Sequence, residues 1–137
     1  MSETHINSVL PEGWARGRGY SHAIVARGQK WLFIAGQLAS INAKFPIEAD
    51  LDMGKQFGIA LNNLVETVKS AGGKPEHIVV LRAFVTSIAE FNAAGDAIGE
   101  AWRTTLGKHF PAMTLVEISK LVDPNAMVEI EGQALLP

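Results

Sequence analysis

Cysteine is absent, which removes disulfides, thiolate metal sites and thiol nucleophiles together. No stretch approaches the ~20 apolar residues needed to span a bilayer, and the opening MSETHINSVLPEGW lacks a basic start followed by an apolar run. A cytoplasmic protein with no membrane partner is the expectation. Positive charge is not in excess either: 12 Lys and Arg against 14 Asp and Glu leave a formal charge of -2. That balance, with no basic run or base-stacking aromatic pattern, argues against nucleic acid as a partner. What remains is an ordinary globular composition, 47% hydrophobic in 137 residues. Residues 1 to 137 read as a single domain, long enough to bury about two-thirds of its unfolded surface.

The last third sets the pattern. Residues 113 to 119 and 127 to 135 alternate in character and read as two strands joined by a turn around Asp123, Pro124 and Asn125. In the second, Val128, Ile130, Gly132 and Ala134 face one way, and Met127, Glu129, Glu131 and Gln133 the other. In the first, Glu117 and Ser119 share a face with Met113 and Leu115. Three carboxylates, Glu117, Glu129 and Glu131, thus fall on polar-leaning faces, which read first as solvated sheet.

Upstream, residues 1 to 19 read as an extended lead-in, with Trp14 packing onto the body. Residues 20 to 27 and 30 to 37 flank Gly28-Gln29 and predict a β-hairpin, closed by Gly36, where a missing side chain admits a backbone or a ligand. Residues 38 to 51 read as a loop. From Asp52, the stripe Met53, Phe57, Ala60, Leu61, Leu64, Val65, Val68 and Ala71 predicts a helix, with Gln56 off it, stopped by Gly72-Gly73 and Pro75. Ile78 to Thr86 is apolar on both faces and predicts a central strand. Arg82 interrupts it and calls for an anionic partner among the C-terminal carboxylates, as an ordinary ion pair. Ser87 and Glu90 form a capping box opening a second helix, with stripe Phe91, Ala94, Ile98, Trp102 and Leu106, ending near Gly107. The order β-β-α-β-α-β-β makes an α+β two-layer sandwich, a mixed sheet with two helices on one face. Leu115, Phe84, Val80, Phe33 and Trp31 would leave the other face too apolar for water, so association through it into a closed homo-oligomer is expected.

Among four histidines, His22 shares a strand face with Tyr20 and Ile24; beside apolar neighbours it reads first as a hydrogen-bonded packing residue and second as a site residue. His5, His77 and His109 carry weaker signals. No pair of histidines has helical i, i+4 spacing, so no zinc site is expected.

GYSHAI, LFIAGQ, QFGIALNNLVETVKSAGGKPEHIVVLRAFVT, FPAMTLVEI and VEIEGQAL together resemble the Rid/YjgF family, also known as L-PSP endoribonuclease-like, over nearly the whole chain from about Pro11. The resemblance implies a chorismate-mutase-like α+β fold assembled as a homotrimer, with small-molecule clefts between neighbouring subunits and no metal or cofactor. In the deaminase branch, enamines and imines such as 2-aminoacrylate are hydrolysed to 2-ketoacids and ammonia. An arginine there holds the substrate carboxylate and a glutamate positions water, roles that suit a planar guanidinium and a carboxylate. By motif, Tyr20 matches the aromatic of a GPYSQA-like segment, with His22 where Gln is common. Gly36 matches the glycine of an SGQ-like segment, and Glu129 the glutamate of the closing EIE. The arginine follows Pro-Ala in a PAR-S/T segment, but this chain reads Pro111-Ala112-Met113-Thr114.

The resemblance therefore implies catalytic roles for Glu129 and Tyr20 and substrate contacts from His22, Gly36, Met113 and Thr114. Methionine cannot pair with a carboxylate, so standard 2-imino-acid hydrolysis should be severely weakened. Arg82, Arg103, Arg16 and Arg18 are the candidates to replace the lost charge, and Met113 makes the cleft more apolar. An imine- or enamine-hydrolysing Rid-like enzyme and a non-catalytic metabolite-binding trimer remain as competing readings, with an endoribonuclease ranked last.

Overall fold

The computed structural model describes residues 3–137. Its elements in chain order are β1 (His5–Val9), β2 (Ala23–Arg27), β3 (Lys30–Gln37), α1 (Met53–Ser70), a 3₁₀ turn (Pro75–His77), β4 (Ile78–Val85), α2 (Ile88–Ala93), α3 (Gly95–Thr105), β5 (Ala112–Glu117) and β6 (Val128–Leu136). The main sheet runs β3-β6-β4-β5: β6 is antiparallel to β3 and β4, and β5 is parallel to β4. The fold is the α+β, chorismate-mutase-like arrangement. Among the described residues, no helix is long and apolar enough to cross a membrane.

Two details depart from the sequence reading of the N-terminal third. The lead-in is not all extended coil, because β1 forms there and pairs antiparallel with β2, His5 opposite Arg27 and Val9 opposite Ala23. The hairpin across Gly28-Gln29 does not form. β3 instead pairs with β6, whose longer register places Leu32 opposite Ala134 and Ile34 opposite Gly132 on the core side. The Gln29 N–H donates to the Leu136 carbonyl at 2.9 Å, so the two-residue connection turns a corner between two small sheets.

The core lies between the main sheet and the helices. Phe57, Leu61, Leu64, Val65 and Val68 of α1 pack on Leu81, Ala83, Val85, Val128 and Ile130, all essentially inaccessible. Burying each large side chain contributes about 2 kcal/mol. Asp52 caps α1, its Oδ1 accepting from the Lys55 N–H at 2.9 Å. Gln56, expected off the buried stripe, is fully buried. Its amide donates to Leu51 O (3.1 Å) and Asn125 O (3.0 Å) and accepts from the Met127 N–H (2.8 Å), tying α1 to the entry of β6. Ala71 lies outside the stripe and is exposed.

The second helix is two. Ser87 caps α2, accepting from the Glu90 N–H at 3.1 Å, but the chain leaves helical geometry at Ala94 (φ -92°, ψ 15°) and restarts as α3. Glycine at the restart weakens local helix propensity. Three helices therefore cover the sheet, with Ile98, Trp102 and Leu106 buried as predicted. The other sheet face carries Val80, Arg82 and Phe84 of β4 opposite Gln133, Glu131 and Glu129 of β6. Phe33 is 72% exposed and Trp31 54%. Leu115, expected there, instead packs against the helix-side core, and Val116, 40% exposed, takes its place.

Candidate functional site

Strand alternation sends the predicted site residues to two sides of one sheet. Met113 and Leu115 point toward the helices and line a cleft of about 640 Å³ with Phe57, Phe91, Trp102 and Phe110. Tyr20 closes one end. It is placed there because the Ser21 N–H donates to Pro111 O at 3.0 Å and Ser21 bridges Ala112 in parallel fashion, stitching this segment to the start of β5. Trp102 is fixed by its indole N–H donating to His109 O (3.1 Å) and by stacking on Phe110 at 6.1 Å between centroids. Arg18, Arg103 and Lys108 stand among the lining residues, which include no Asp or Glu.

Gly36 and Glu129 sit together elsewhere, where a bulge between Ile34 and Gln37 disturbs the β3–β6 register. A Cβ at Gly36 would collide with the Glu129 carboxylate, so the glycine makes the niche that the carboxylate occupies. Partial burial pushes the Glu129 carboxyl above its usual range, and the neighbouring Glu131 charge adds to the effect. Glu131 itself is paired with Arg82 at 3.3 Å, and Arg82 also donates to the Gln133 side chain at 3.3 Å. Arg82 is thus the ion-pair residue that its strand position called for, and it lies on the sheet face opposite Met113. Thr114, one residue on from Met113, faces that same open side, opposite Arg82 in the register, and is exposed.

The three carboxylates do not converge. Glu117 is the third, and its Oε1 accepts from the Ile88 N–H at 2.9 Å, completing the start of α2. His22 lies just before β2, beside Tyr20 in an adjoining cleft of about 580 Å³ that also contains Arg16, Ser21 and His109. Its Nε2 is 2.9 Å from Ala15 O, and its ring is edge-on to Trp14 (5.2 Å) and Tyr20 (5.3 Å). Those contacts brace the His22 ring between Trp14 and Tyr20. Among the described residues, no group of three or more His, Asp or Glu is placed to hold a metal ion.

The structure thus brings Tyr20 and Met113 together, brings Gly36 and Glu129 together, and separates the two pairs. Lys108, Gly95 and Gly99 also line the first cleft and were missed by sequence reasoning. Two glycines four residues apart on a helix, one side of which faces the sheet, were the signal available for that space.

The family model described as Endoribonuclease L-PSP matches residues 15–136. A RutC family protein, slr0709 of Synechocystis, is 30% identical over 118 residues, covering 86% of each chain. Among solved structures, the Rid-family protein YyfB of Yersinia pestis, of unknown function, superposes with a TM-score of 0.81 at 29% identity, over 96% of this chain and 98% of that one. Rv2704 of Mycobacterium tuberculosis, from the YjgF/YER057c/UK114 family, gives 0.62 at 28% identity, over 86% and 87%. By sequence model, relative and architecture together, the chain belongs to the Rid/YjgF family, the L-PSP endoribonuclease family of these comparisons.

Proposed function

We propose that the chain works as a homotrimer with small-molecule clefts between subunits, and that it hydrolyses an imine, enamine or related small nitrogen compound there. One observation carries the reading: the Tyr20–Met113 and Gly36–Glu129 pairs lie on opposite sides of a single sheet, so a site using both draws them from two copies. The open face with Phe33 and Trp31 supports such contact, since an apolar surface of that kind favours burial against a second copy.

In this reading Glu129 orients the attacking water and takes its proton as oxygen bonds to the imine carbon. Glu129 hands that proton to the nitrogen, giving a neutral carbinolamine, and transfer of the hydroxyl proton to nitrogen then expels ammonia and leaves a carbonyl. A carboxyl held above its usual range is a stronger base than an ordinary solvated carboxylate, which suits it to take a proton from water. Tyr20 and the apolar wall of the other half hold the substrate body. Met113 offers a carboxylate no charge-assisted bond, so the standard handling of 2-imino acids is impaired and another group must hold any anion.

The test is imine hydrolysis with an amino-acid oxidase generating imines from a panel of amino acids and semicarbazide competing for them. Turnover is expected for apolar side chains, with Glu129→Gln reducing it at least tenfold. No turnover across the panel would replace this reading with that of a non-catalytic metabolite-binding trimer.

A further inference from the structure

The cleft of Tyr20 and Met113 is apolar over most of its wall and cationic at its edge, and this combination specifies a ligand. Phe91, Trp102, Met113 and Leu115 offer an aromatic and thioether lining with no charge to receive an anion. An anion buried among them unpaired would be costly. At the edge, Arg103 is occupied by Glu100 at 2.7 Å, whereas neither Arg18 nor Lys108 is in an ion pair among the described residues. The turn that carries Arg18 is shaped by its flanking glycines. Gly19 takes φ +81°, and a Cβ at Gly17 would lie 2.6 Å from the Tyr20 carbonyl oxygen, so the tight turn carrying Arg18 is built directly against Tyr20.

Resting on the proposed function only for the use of this cleft, we propose that its ligand is a monoanion with an aromatic or bulky apolar body. The body lies against Met113, Leu115 and Trp102, and the carboxylate is held at the edge by Arg18 with Lys108. The volume of about 640 Å³ accommodates a substituted six-membered ring, and the absence of Asp and Glu from the lining leaves the positive edge uncompensated. Small, fully polar acids gain nothing from such a wall. Arg18 and Lys108 thus supply the charge, and Met113 supplies apolar contact.

The experiment is titration calorimetry with benzoate, phenylacetate and 3-phenylpropionate, each against its uncharged amide, and against acetate. At least one aromatic acid is expected to bind ten-fold or more tightly than both its amide and acetate. Arg18→Ala with Lys108→Ala should erase the preference for acid over amide while leaving the amide's binding unchanged. Gly95→Leu should block all of them, and it should do so in a folded protein, because a Cβ at Gly95 meets nothing within 4 Å. The proposal is overturned if none of the aromatic acids binds, if acid and amide bind alike, if the double variant keeps the preference, or if a folded Gly95→Leu protein binds as before. Binding is read without turnover, so aromatic acids that bind to a protein inactive on every imine would sink the catalytic reading and leave this one standing. Imine hydrolysis without acid-over-amide preference would do the reverse.

Discussion

Glu129 and Glu131 stand two residues apart on one strand face, and their neighbours separate their chemistry. Glu131 has Arg82 as counter-ion, while Glu129 has only the niche opposite Gly36 and the repulsion of Glu131. A carboxyl raised above its unfolded value keeps its proton to higher pH in the folded chain than in the unfolded one. Folding is therefore favoured in acid below the unfolded value, and that contribution is lost as pH rises through the folded value. Glu129→Gln removes the titration. The variant is expected to be more stable than wild type in urea denaturation at pH 7, with the gap closing toward about pH 4. A gap that is flat with pH, or wider in acid, would show that the site does not desolvate Glu129. Sequence could name Glu129 and Gly36 through their motifs, but their contact depends on a bulge that shifts register, and no local pattern announced it.

Between elements, the joint that organises the site region is the single side chain of Gln56. It satisfies backbone groups of Leu51, Asn125 and Met127, and so fixes where β6 begins and where its alternation puts Glu129. Gln56→Ala leaves those groups without partners in a dry environment and is expected to cost on the order of 3 kcal/mol. Urea denaturation checks this, and a loss below about 1 kcal/mol would mean that water replaces the amide. Gln56 escaped the sequence reading because a polar residue beside an apolar stripe is ordinarily solvated, and its partners are distant in sequence. The break at Ala94 escaped for a related reason: the apolar spacing runs through it unchanged, so periodicity alone could not separate α2 from α3.

For the whole molecule, the decisive feature is the sheet face that no helix covers. Light scattering at micromolar concentration is expected to give three times the 14.7 kDa chain mass. Phe33→Glu, on that face and 72% exposed in the single chain, is expected to yield a monomer with unchanged far-ultraviolet circular dichroism and at least tenfold weaker imine hydrolysis. A monomeric wild type, or a trimer indifferent to Phe33→Glu, would remove the basis for clefts between subunits.

The sequence by itself determined the α+β class, the first helix from about Asp52 to its stop at Gly72-Gly73, the central strand, and the partition of β6 into a core face and a polar face. These follow from short-range periodicity and capping chemistry, which act within a few residues. Tertiary structure decided the rest: that β3 pairs with β6 rather than β2, that β1 exists, that Met113 lies on the sheet face away from Glu129, and that Arg18 lines an apolar cleft. Each depends on contacts between segments far apart in the chain. Strand partners are chosen by competing long-range registers, and only the assembled sheet shows which register prevailed.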